Sequence, residues 1–120
     1  MTRFTFLSLA VLIALCACAT PNEIRNGTPV MHIDSGMPAK DVALCIVTHW
    51  ENSGFGGTPN VTFRPTESGY TVAVRNEVVG STQLLADIHE TQSGSSTRYF
   101  KGAVLGEGAF DKAVSDCQQP

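Results

Sequence analysis

Four cysteines and three histidines carry most of the chemistry open to this 120-residue chain, and their spacing limits what that chemistry can be. Cys16, Cys18, Cys45 and Cys117 form no Cys-x-x-Cys pair and no Cys/His spacing of the zinc-binding kind. His32, His49 and His89 fall in three separate segments. A metal centre needs three or four converging ligands, so neither a metal nor a cofactor is expected. General acid–base work could fall to His49 with Glu51 or to His89 with Glu90, and Asp87 with a serine would complete a triad on paper. No Gly-x-Ser-x-Gly elbow and no Ser-x-x-Lys pair accompanies them, so no catalytic residue is assigned. Gly54-Phe-Gly-Gly57 has the glycines of a phosphate cradle, but it leads from a helix-like pattern into a strand-like one and holds no lysine. It reads as a connection. Trp50 and Phe55 flank that junction, and two roles are open to them: core packing, or an aromatic anchor for a protein partner.

The elements that must position these residues follow from hydrophobic periodicity. Val42, Cys45, Ile46 and His49 or Trp50 recur at helical spacing behind Pro38, which predicts a helix over 39–51 with the proline at its start. Val61-Thr-Phe63, Tyr70-Thr-Val-Ala-Val74, Leu84-Leu-Ala-Asp-Ile88 and Thr97 to Val104 predict four strands, separated by turns at Glu67-Ser-Gly69 and Ser93-Gly-Ser-Ser96. Phe110, Ala113, Val114 and Cys117 predict a second helix over 109–118. A half-apolar antiparallel sheet must bury one face, and the two helices are the available cover. The expected fold is therefore α+β: a two-layer sandwich in which a four-stranded antiparallel meander is flanked by an N-terminal and a C-terminal helix. Val30 to Ile33 could add an edge strand, but the alternation is too short to decide.

Apolar residues make up 42% of the chain, enough for one globular domain. Eight Lys and Arg against eleven Asp and Glu give a net charge of −3, so no basic surplus invites a nucleic acid. The apolar residues are unevenly placed. Arg3 and the run Phe4 to Leu15 have the form of a charged n-region and an h-region, and the run is too short to span a bilayer before Thr20-Pro-Asn-Glu23. An ordinary signal peptidase could cut before Thr20 at Ala17-Cys-Ala19.

Leu15-Cys16-Ala17-Cys18 resembles the lipobox of bacterial lipoproteins, with an aliphatic residue three before the cysteine and a small one directly before it. The resemblance covers the first 18 residues and implies cleavage after Ala17, a thioether-linked diacylglycerol on Cys18 and an acyl chain such as palmitate on the new amine. It also implies, through Ala19 rather than Asp after the cysteine, sorting to the outer membrane with the domain facing the periplasm. Residues 1–17 would then be signal, 18–37 the lipid attachment and a flexible tether rich in Thr, Pro, Asn and Gly, and 38–120 a single domain. Loss of residues 1–17 removes one arginine and no acid, moving the net charge to −4.

Either cleavage leaves only Cys45 and Cys117 for pairing within the domain, and both lie on the apolar stripes of their helices. In an oxidising compartment they are expected to form a disulfide, with two buried thiols as the alternative. Closing a loop of that size is worth roughly 4 kcal/mol in the chain-entropy picture. The anchor, the staple, the small size and the lack of a catalytic cluster lead to the expectation of a non-enzymatic module that binds an envelope protein. The alternative is a small anchored hydrolase of a cell-envelope polymer with His49, Glu51 or His89 as base. Nothing in the residues fixes an oligomeric state.

Overall fold

The computed structural model describes residues 20–53, 60–76, 80–102 and 108–120. Thr20 caps a one-turn helix α1, Pro21–Arg25, through a reciprocal capping box: its hydroxyl accepts from Glu23 N–H at 3.3 Å while the Glu23 carboxylate accepts from Thr20 N–H at 3.2 Å. Strand β1, Met31–Ser35, follows, and then helix α2, Ala39–Glu51. Pro38 stands one position before α2, where its carbonyl accepts from the N–H groups of Asp41 and Val42. The chain continues as β2 Asn60–Pro65, β3 Gly69–Asn76, β4 Ser81–Thr91, β5 Gly94–Lys101 and helix α3 Gly108–Asp116.

The sheet is antiparallel throughout, in the order β1-β5-β4-β3-β2. Strands β2 to β5 form the expected meander. The expected four-stranded sheet is corrected to five strands, because β1 adds to the free edge of β5 with Met31 opposite Tyr99 and Ile33 opposite Thr97. The stretch 20–37, expected to be tether, thus holds a helix and a strand. Short elements of this kind are held by their partners rather than by their own periodicity, and α1 rests on β4 and β5. Strands β4 and β5 also meet in a tighter hairpin than the turn expected at 93–96, with Thr91 paired to Gly94. Gly94 has φ 151°, and a Cβ there would overlap the backbone of Ser35 and Gly36, so glycine is required.

Alternation sorts the strand residues onto two faces. Val72, Val74, Leu84, Ala86, Ile88 and Tyr99 meet Val42, Ala43, Ile46 and Trp50 of α2 and Ala113 and Val114 of α3 in one core. Both long helices therefore lie on the same side of the sheet. Cys45 and Cys117 join them in a disulfide with Cα atoms 5.7 Å apart, closing a loop with a sequence separation of 72. The opposite face carries a small second cluster of Ile24, Ala73, Leu85 and Phe100, with α1 as its only helical cover among the described residues. No helix among the described residues is long and apolar enough to cross a membrane.

Candidate functional site

The residues singled out from the sequence are not gathered. Trp50 is fully buried between Tyr99 and Phe110, at ring-centroid distances of 5.9 and 6.2 Å, and its indole N–H donates to the Phe110 carbonyl at 3.1 Å. Of its two expected roles it fills the core one, and an anchoring role for Trp50 is corrected: no partner can reach it in this fold. Phe55 and Cys18 lie outside the described residues. His49 sits on α2 beside the bridge, and with Cys45 and Cys117 it is the grouping of potential metal ligands found among the described residues, within 4.8 Å. Both sulfurs there are committed to each other, which leaves one imidazole. His49 and Glu51 are thus on the helix side, whereas His89 belongs to the other face of the sheet.

That other face holds the polar chemistry. Pairing lines up Arg64, Thr71, Asp87, Arg98 and His32 across all five strands. Arg25 descends on the middle of this row from α1 and donates to Asp87 from Nε at 2.7 Å and from Nη2 at 2.9 Å, a bidentate pair. The Thr71 hydroxyl donates to Asp87 Oδ1 at 2.7 Å and accepts from Arg25 Nη2 at 3.1 Å. Asp87 is mostly covered, with a side chain 13% exposed against 34% for Arg25. Hydrogen bonding to Asp87 raises the pKa of Arg25, against a smaller desolvation effect that lowers it, so the guanidinium is a fixed charge. Asp87 is the cross-strand neighbour of Arg98 yet is taken by Arg25, and Arg98 is left on the surface.

Two depressions adjoin this network. The first, about 330 Å³, is bounded by Arg25, Arg64 and Arg75, by Thr62, Thr66, Thr71 and Thr82, and by Ala73, Leu85 and two prolines. A bulge helps to build it: Val74 pairs with Leu84 but Arg75 with Thr82, so Gln83 is the extra residue and Thr82 falls on the same side as Leu85. The second is shallower and shares Arg25, Thr66 and Thr71 with the first. It contains Ser68, whose hydroxyl lies 2.6 Å from His89 Nδ1, a contact the sequence reading missed. The register that brings Gly69 opposite His89 is what places Ser68 there.

The charges are segregated by type. The described arginines, Arg25, Arg64, Arg75 and Arg98, all lie on the face that carries α1. The three lysines belong to the helix side: Lys40 on α2, Lys112 on α3, and Lys101 paired with Asp111 of α3 at 3.0 Å. No protein-family model, no curated protein and no solved structure matches the chain.

Proposed function

We propose that this chain is an exported, lipid-anchored, non-enzymatic module that binds another protein of the bacterial envelope through its arginine-bearing sheet face. The anchor is Cys18 in Leu15-Cys-Ala-Cys18, carrying diacylglycerol on its sulfur, with the domain held at the outer membrane and facing the periplasm. The Cys45–Cys117 bridge supports export, because such bonds persist in oxidising compartments. The observation that carries the binding reading is the arginine segregation in a chain whose net charge is negative. Guanidinium groups offer planar forks of donors that match carboxylates, and arginine is enriched among residues that dominate binding energy. The partner is thus expected to present acidic side chains.

Anchoring is tested by the intact mass of the protein extracted from membranes. A chain starting at Cys18 with diacylglycerol and acyl mass is expected; a start at Thr20, or no added mass, overturns the anchor. Binding is tested by capture from native envelopes with the natural chain and with Arg64→Gln/Arg75→Gln/Arg98→Gln. A partner held by the first and lost by the second is expected, and equal capture by both would move the docking surface elsewhere.

The Ser68–His89 contact favours a second reading, a small anchored hydrolase of a cell-envelope polymer with His89 as base and Ser68 as nucleophile. Against it, both Asp87 carboxylate oxygens face Arg25 and Thr71, so Asp87 does not orient the imidazole. Peptidoglycan hydrolysis that disappears in Ser68→Ala would establish this reading in place of the first.

A further inference from the structure

We propose that the depression between β2, β3 and α1 is a binding site for a small oxyanion ligand: a phosphate or carboxylate group carried on a compact organic body. This goes beyond the docking of a protein partner and does not depend on it. The first support is uncompensated charge. Among the described residues no carboxylate lines the depression, and Arg25 on its wall is already neutralised by Asp87. Arg64 and Arg75 line it too, and neither has a hydrogen-bond or ion-pair partner among the described residues. Two free guanidinium groups at a concave surface concentrate anions there.

The second support is placement. Thr62 pairs with Ala73, Arg64 with Thr71 and Asn60 with Arg75, so the two arginines stand two residues to either side of the Thr62–Ala73 pair. Four residue steps along a strand separate their Cα atoms by about 13 Å, a gap that two extended arginine side chains can close over one ligand. Hydroxyl donors are at hand. Thr71 is occupied by Asp87, whereas Thr66 and Thr82 keep theirs for a ligand.

The third support is the lining and size. Pro21, Pro65, Ala73 and Leu85 give the site an apolar part that a bare ion would leave unfilled, and its volume of about 330 Å³ lies at the lower end of the small-molecule range. An anion with a few carbon atoms fits both parts. Arg25, clamped by Asp87 and Thr71, acts as a fixed wall, while Arg64 and Arg75 are the recognising forks.

The test is titration of the whole purified, disulfide-bonded chain with glycerol 3-phosphate and, separately, with citrate, followed by amide chemical shifts at constant ionic strength. Saturable one-to-one binding of at least one probe is expected, with shifts centred on residues 62–66, 71–75 and 82–85. Whichever probe binds more tightly assigns the phosphate or the carboxylate. Arg64→Gln and Arg75→Gln should each weaken it about tenfold, the loss of one charge-assisted hydrogen-bond pair. Their melting temperatures should stay at the natural value, because neither side chain has a partner among the described residues, and Lys40→Gln on α2 should bind as the natural chain does. The proposal is overturned if neither probe saturates, if shifts spread equally to Arg98 and the lysines, or if the Arg64 and Arg75 variants bind unchanged. Loss of small-anion binding leaves the protein-docking reading intact, since that is read by capture from envelopes.

Discussion

The two faces of the sheet are made from different materials. On the helix side, aliphatic and aromatic residues of three strands meet α2 and α3, the aromatic set Trp50, Tyr99 and Phe110 closes one end, and a disulfide fastens the helices to each other. The face under α1 has four apolar residues in contact, and around them are arginines, threonines, serines and histidines, with Asp87 clamped by Arg25 and Thr71 and Asp34 beside His32 at the β1 edge. Large buried side chains and cross-links hold a fold, and exposed charged groups contribute little to it. The helix side therefore supplies most of the fold's stability, which leaves the other face free to serve the recognition proposed above.

Substitutions can break this division, starting with the helix side. Replacing both bridge cysteines by serine, Cys45→Ser/Cys117→Ser, should lower unfolding free energy by about 4 kcal/mol in denaturant titration. Trp50→Ala should cost a similar amount, about 4 kcal/mol, through lost burial and a cavity beside Tyr99. A domain of this size has about 5–15 kcal/mol in total, so either change uses a large part of it. On the other face, Leu85→Ala should cost about 2 kcal/mol, the low end for its type, because the cover above it is a single helical turn. Asp87→Asn should cost about 1–2 kcal/mol by loosening the Arg25 clamp, and it is limited because Arg25 can turn to water. Arg98→Gln should stay within about 0.5 kcal/mol. If Arg98→Gln cost as much as Trp50→Ala, the two faces would not differ in the way described.

The helix side was also the legible side. Val42, Ile46 and Trp50 mark α2 at its observed bounds, and Phe110, Ala113 and Val114 mark α3. The bridge is expected because Cys16 falls in the signal and Cys18 is either the lipid carrier or lost with the signal, which leaves Cys45 and Cys117. The face under α1 was harder to see for a physical reason: a strand with one polar face has apolar residues only at alternate positions, so β4 extends beyond Leu84–Ile88 at both ends and the start of β5 resembled a turn. For α1 a signal existed in Thr20-Pro-Asn-Glu23, a capping box with proline at the first position, but five residues show no periodicity. Strand β1 depends on the ladder to β5, which alternation cannot reveal. The arginines at 25, 64, 75 and 98 are scattered in sequence, and only the strand register and the docking of α1 bring them to one face. Trp50, conspicuous as the single tryptophan, belongs to the core instead.

The division of labour is measured most directly by photo-cross-linking in the intact envelope. A photoreactive residue replaces His32, exposed beside Arg98 in the register, or Leu44, exposed on α2. A discrete cross-linked protein from position 32 and none from position 44 is the predicted result. Cross-links from position 44 with none from position 32 would place recognition on the helix side and contradict it.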